Sequence, residues 1–200
     1  MEYIIHRVNN LEKLSKISKN HGAEIDVVYD NNQLILKHSP YDSNREAIAL
    51  EDFLKMYDNK KLIINIKTSG TEENIINLAR KYLDDFLLLD VEFPFIIKNY
   101  KKYGKYLMLR ISKFESIENL EYLNNYINWI WLDTYEEFEF DNNYKNLLNS
   151  FKICVVSIER WFENYETSKF INEIKNSNLN IQAVLTDNKI VKEWEKSYRT

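Results

Sequence analysis

Short apolar, β-prone runs alternate along the chain with longer segments in which apolar residues recur every three or four positions. A period of two marks a strand and a period near 3.6 marks an amphipathic helix, so the pattern predicts successive βα units on a parallel sheet. Strands are predicted at residues 3–7, 23–28, 61–67, 86–90, 106–112, 128–133, 152–157 and 181–186. Helical periodicity covers 11–20, 50–57, 71–83, 94–103, 115–126, 167–177 and 189–198. Residues 31–38 follow the polar stretch Tyr29-Asp30-Asn31-Asn32 and read as the return strand of a short hairpin, outside the main series. Thr71 ahead of Glu73, and Ser168, are expected helix starts, and Gly104 is an expected helix stop.

Eight units in 200 residues average 200/8 = 25 residues each, the short limit of a TIM-type barrel. A doubly wound open sheet would typically carry a Gly-rich turn after its first strand, and MEYIIHRVNN has none. The expected architecture is therefore α/β: one compact (β/α)8 barrel domain over residues 1–200, with a β-hairpin excursion after the second strand. Composition agrees with a packed globule, at 44% hydrophobic residues with only 3 Gly and 2 Pro.

A net charge of −4 argues against a nucleic-acid partner, because phosphate-backbone affinity needs clustered cations. Lys98, Lys101, Lys102 and Lys105 do cluster, either as a solvated helix face or as a rim attracting an anionic substrate. The single Cys154 lies in the apolar run KICVVS and reads as a buried structural thiol. Neither a signal peptide nor a run of ~20 apolar residues is seen, so the expectation is a cytoplasmic protein without a membrane span.

Barrel enzymes build their sites where the strands end, and here polar residues fall at those ends repeatedly. His6 and Arg7 end the first predicted strand, and Glu24 and Asp26 share one face of the second. Asn65 and Lys67 share a face of the third, and Asp90, Arg110 with Ser112, Asp133, Ser157 and Thr186 with Asp187 end the rest. Converging carboxylates resist ionisation unless a cation lies between them, and oxygen-only ligation suits Mg²⁺ or Ca²⁺; salt bridging is the plainer use of such a pair. His6 and His38 both lie at strand ends, and two imidazoles can serve as general base and general acid. His21, before Gly22, reads as a helix C-terminal cap residue. The four Trp residues read as core or rim packing, with Trp131 the one placed to stack on a sugar or polyol beside Asp133. No Gly-rich phosphate loop, zinc spacing or nucleophile elbow is present.

These motifs resemble the glycerophosphodiester phosphodiesterase and phosphatidylinositol-phospholipase-C-like barrel superfamily. IIHR matches its His-Arg strand end and AEIDVV its Glu-x-Asp strand. LKHSP carries Ser39 where the superfamily has Asp, and NIK carries Asn65 where it has an acidic ligand. The ordered segments IINIKTSG, FLLLDVEFP, RISKFE, WIWLD, VVSIERW and LTD are similar to a small branch associated with bacterial surface-polysaccharide loci, and that likeness covers nearly the whole chain.

The resemblance implies an acid/base pair, His6 and His38, and a divalent ion, Mg²⁺ or Ca²⁺, on Glu24, Asp26 and, through its amide oxygen, Asn65. Arg7 and Lys67 would steady the phosphate. Asp90, Arg110, Trp131, Asp133 and Glu159 are the remaining candidate substrate contacts. The activity implied is metal-assisted cleavage of a small or glycan-linked phosphodiester, by hydrolysis or through a cyclic phosphate. A reading from another class is a non-catalytic or repurposed barrel that binds a glycan or phosphorylated ligand, since fold does not fix function.

Overall fold

The structure is a computed structural model that describes residues 1–42, 47–135 and 142–199. Its strands are β1 (Glu2–Ile5), β2 (Gly22–Asp30), β3 (Gln33–Leu36), β4 (Leu62–Ile66), β5 (Phe86–Leu89), β6 (Met108–Ile111), β7 (Trp129–Leu132), β8 (Lys152–Val156) and β9 (Ile181–Thr186). Between them run α1 (Leu11–Ser15), α2 (Leu50–Met56), α3 (Glu72–Ala79), α4 (Phe93–Tyr103), α5 (Glu118–Leu123), α6 (Asn142–Leu148), α7 (Thr167–Asn176) and α8 (Val191–Arg199).

The parallel strands are hydrogen-bonded in the order β5-β4-β2-β1-β9-β8-β7-β6. β5 and β6 then meet through one parallel bridge among the described residues, Leu88 with Leu107, which makes a nearly closed (β/α)8 barrel. β3 stands off this path, antiparallel to β2. Asp30 pairs with Gln33, so Asn31 and Asn32 form a two-residue turn with φ of 47° and 63°. That is the type I′ geometry whose twist matches a hairpin, and Asn tolerates it better than most residues.

Two apolar layers hold the barrel. The larger packs the outward faces of the strands against the helices, with Phe53, Ile76, Leu120, Phe151, Phe170 and Trp194 fully buried. The smaller fills the interior with Ile4, Ile63, Leu87, Leu89, Met108, Trp129, Trp131, Cys154, Val156, Ala183 and Leu185. The indole of Trp131 fits because its neighbours in register are small: Trp131 pairs with Cys154, and Cys154 with Ala183. Cys154 is accordingly a buried thiol whose pKa is pushed well up by burial.

Several local expectations change. α6 was not anticipated. Ser168 lies inside α7, whose N-cap position is Glu166. Thr71 does occupy the N-cap of α3, but its hydroxyl donates to the Thr68 carbonyl at 2.7 Å and caps no helix N–H. Gly104 ends α4 in the right-handed region, φ −51°. Its need for glycine is steric, since a Cβ there would lie 2.3 Å from the Tyr126 carbonyl oxygen. Lys98, Lys101, Lys102 and Lys105 follow α4 away from the C-terminal strand ends. Lys102 pairs with Glu73 at 3.0 Å and Lys105 lies over Tyr106, so the cluster is a solvated helix face and not a mouth rim.

Candidate active site

β1 delivers His6 and Arg7 to the C-terminal mouth of the barrel. The His6 N–H still donates to Thr186 O at 3.1 Å, and the Val8 N–H to Glu24 O at 2.8 Å. Between them the chain turns with Arg7 at φ 51°. A left-handed residue with a Cβ costs about 1–2 kcal/mol, and here the turn aims the Arg7 N–H at Glu24 Oε2, 2.8 Å away. Asp90, just past β5, also has positive φ, 58°. Non-glycine residues held this way gather where a site needs fixed geometry.

Glu24 and Asp26 are fully buried on the inner face of β2. Asn65 Nδ2 donates to Glu24 Oε1 at 3.3 Å. Burial first, and the Asp26 charge second, push the Glu24 carboxyl up to about 7, against the pull of the Arg7 N–H, Asn65 and Lys67. Asp26 is held from several sides. Asn9 donates its amide N–H to Oδ2 at 2.8 Å and accepts the Asp26 backbone N–H at 2.8 Å. Lys67 Nζ lies 3.3 Å from Oδ1 and Arg7 Nε 3.9 Å from Oδ2.

This donor set fits a hard divalent ion. Asn65 Oδ1 is buried and has no hydrogen-bond partner, beside the Glu24 and Asp26 carboxylates. An orphaned oxygen acceptor beside two carboxylates is compatible with a hard divalent ion. Among the described residues no three His, Cys, Asp or Glu side chains gather as ligands, so the third would be the Asn65 amide.

His38 reaches the same end of the barrel because β3 folds back along β2 and the Lys37 N–H donates to Asp26 O at 3.0 Å. Arg7 Nη2 contacts His38 Nε2, so Arg7 stands between the two histidines. His6 Nδ1 is 4.0 Å from Asp187 Oδ1. Burial, followed by the charges of Arg160, Arg7, Lys13 and His38, lowers the His6 pKa to about 3. His6 is therefore neutral throughout the physiological range and lies in a cationic field.

Across the mouth Arg110 is clamped. Nε donates to Asp90 Oδ1 at 2.7 Å and Nη2 to Asp90 Oδ2 at 3.0 Å, while Nη1 bonds Asp133 Oδ2. Its guanidinium lies 5.4 Å over the Trp131 ring. Asp133 also accepts the Trp131 indole N–H at 2.9 Å and the Tyr135 hydroxyl at 3.2 Å; burial still raises its pKa.

These groups enclose a cleft of about 220 Å³, lined by His6, Arg7, Glu24, Asp26, Asn65, Lys67, Arg110 and Trp131, together with Arg160 and Trp161. His38 is exposed and outside that lining, touching it through Arg7, and the buried Asp133 is joined to it through Arg110. Glu159 is at the same end but turned away: it accepts Ser157 Oγ, Thr186 Oγ1 and the Asp187 N–H, and so braces β8 against β9. His21 is at the opposite end, edge-on to Tyr3, before β2 and well past the end of α1, so it caps no helix. Asn9, Arg160, Trp161 and Asp187 complete the mouth. Asn9 and Arg160 were not singled out, and Trp161 was read as packing. The signal that finds them is the one that found His6, polar or aromatic residues directly after a strand.

No protein-family model matches the chain, and no curated protein matches it either.

Proposed function

We propose that this barrel cleaves a small or glycan-linked phosphodiester by two-histidine acid/base catalysis assisted by a divalent ion. The observation that carries the reading is Arg7, which touches His38 with its side chain, holds Glu24 with its backbone N–H and follows His6 in sequence. One residue thus ties both histidines to the carboxylate pair, in a cleft where Lys67 and Arg160 add positive charge.

The histidine roles differ. His6, neutral at pH 7, is the base: it takes the proton of a water or a substrate hydroxyl as that oxygen bonds to phosphorus. Its low basicity follows partly from nearby cations, and a bound phosphodiester anion offsets that field. His38 is the acid. Its Nε2 accepts from Arg7 in the resting site, and a phosphate that draws Arg7 away frees that nitrogen to take up a proton from solvent and pass it to the departing alkoxide. Water as nucleophile gives hydrolysis; a neighbouring substrate hydroxyl gives a cyclic phosphate. Glu24, Asp26 and Asn65 would hold the ion, which supplies charge neutralisation at the phosphoryl oxygens. Lys67 and Arg7 grip the same oxygens from the protein side, and the Arg110–Asp90–Asp133 clamp fixes the far wall.

The test is ³¹P NMR of a phosphodiester panel with Mg²⁺ or Ca²⁺. Replacing His6 or His38 with Asn should lower turnover by about 10²–10⁴-fold and change binding much less, with the double variant little worse than either single one. A folded single variant that keeps the parent rate shows that its histidine is structural. The Arg7–His38 contact also favours a second reading, a non-catalytic anion-binding barrel, because it occupies the acid's nitrogen. A phosphodiester bound but unchanged, with ion present, would establish that reading.

A further inference from the structure

His6 is a wall of two cavities. On one side lies the cationic cleft, and on the other a groove of about 410 Å³ runs between α1 and the segment that follows β9. Its floor is Ile5, Val8 and Ile17, all buried, and its rim carries Lys13, Lys16 and Lys189, all exposed. Hydrogen bonds fix this shape. Asn188 Nδ2 donates to Lys16 O at 3.3 Å and ties the two walls together, while Lys13 Nζ donates to Arg7 O at 3.1 Å and is anchored beside the His6–Arg7 turn. The charges around the groove are unevenly matched. Lys16 pairs with Glu12, and Asp187, which also lines the groove, pairs with Arg160 at 3.0 Å, whereas Lys13 and Lys189 meet no carboxylate among the described residues.

We infer that this groove is a second ligand site, which takes the dianion of a phosphate monoester with a compact apolar body. Two cations without counter-charges on one rim match a divalent anion better than a carboxylate or a phosphodiester, each of which carries a single charge. A phosphate monoester carries about −1.5 to −2 at pH 7. The buried floor and the lysine methylenes supply the apolar contact. A volume of about 410 Å³ is that of small-molecule sites which join an apolar lining to a few charged groups. The site goes beyond the proposed phosphodiester cleavage and does not depend on it, since Glu24, Asp26 and Lys67 line the cleft and not the groove.

Amide NMR titration with phenyl phosphate, methyl phenyl phosphate, benzoate, phenol and inorganic phosphate tests the inference, with affinities read from the groove residues 13–17 and 187–189. Phenyl phosphate should bind there about fivefold more tightly than benzoate or methyl phenyl phosphate, the upper end of what one further exposed ion pair contributes. Phenol and inorganic phosphate, each lacking one half of the ligand, should bind more weakly still. Lys189→Glu replaces an attraction at the exposed rim with a repulsion and should weaken phenyl phosphate at these residues about tenfold or more. Lys67→Gln, in the other cavity, should leave that affinity unchanged. If Lys189→Glu fails to fold, Lys189→Gln takes its place, with an expected loss of about fivefold. The site is overturned if phenyl phosphate binds nowhere, if it moves only the cleft residues 65–67, or if its groove affinity survives the folded Lys189 variant. Equal affinities for benzoate and phenyl phosphate overturn the assignment to a dianion. None of these outcomes touches turnover of a phosphodiester, so the phosphodiesterase reading stands or falls separately.

Discussion

His6 shows how a residue's surroundings assign its role. Its folded pKa of about 3 lies below the ordinary 6.5, so between those values the unfolded chain binds a proton that the folded one does not. Stability then rises with pH across that window. The His6 contribution is fully present above about pH 6.5 and is lost progressively as pH falls toward 3. Urea unfolding of the parent and of His6→Asn at pH 7 and pH 4.5 should show a smaller acid loss in the variant; equal losses would mean that the burial of His6 does not govern its ionisation. Asn9 is the complementary case. It is neutral, it satisfies Asp26 from both ends of its amide, and its place just after β1 is what marks it in the sequence.

Among the elements, the hairpin rests on its turn. Asn32 at φ 63° meets the left-handed cost that Gly avoids and Ala meets in full. Asn32→Ala should destabilise the protein by about 1 kcal/mol and Asn32→Gly by much less, as read from urea midpoints. If the hairpin positions His38 as described, Asn32→Ala should also slow turnover, since β3 is what returns that histidine to the mouth. The strands were legible because burial on both faces leaves apolar runs, and the hairpin because Asn-Asn breaks one. α6 was not, because the stretch after Asp133 is rich in Glu, Asn and aromatic residues and has little helical period before Leu147 and Leu148. The lysine cluster left two uses open, solvated face or rim, because spacing along α4 does not reveal which end of a helix faces the mouth; the structure shows the solvated face. Glu159 shows a related limit: a strand-end position says where a carboxylate starts, not that the Ser157 and Thr186 hydroxyls will hold it.

At the scale of the whole molecule, the β5–β6 seam and the first and last strands are opposites. β1 lies hydrogen-bonded between β2 and β9, in registers such as Ile4 with Gly22 and Ile4 with Leu185, whereas β5 and β6 share one bridge. Gly22 allows that tightness, since a Cβ there would lie 2.5 Å from Ile4 Cδ1. Native-state hydrogen exchange should therefore find the seam-facing amides of β5 and β6 exchanging about tenfold faster or more than those between β1 and β9. Uniform protection around the barrel would show that the seam does not open.

The pairing of β1 with β9 also bears on how the protein is made. His6, Arg7, Glu24, Asp26, His38 and Lys67 all belong to the early part of the chain, yet the strand that flanks His6 and carries its Thr186 contact leaves the ribosome long after them. Until β9 arrives, a nascent chain holds the charged half of the mouth without the wall that buries it, and β1 presents an open edge. The mouth is thus completed late in synthesis and all at once, when β9 docks beside β1.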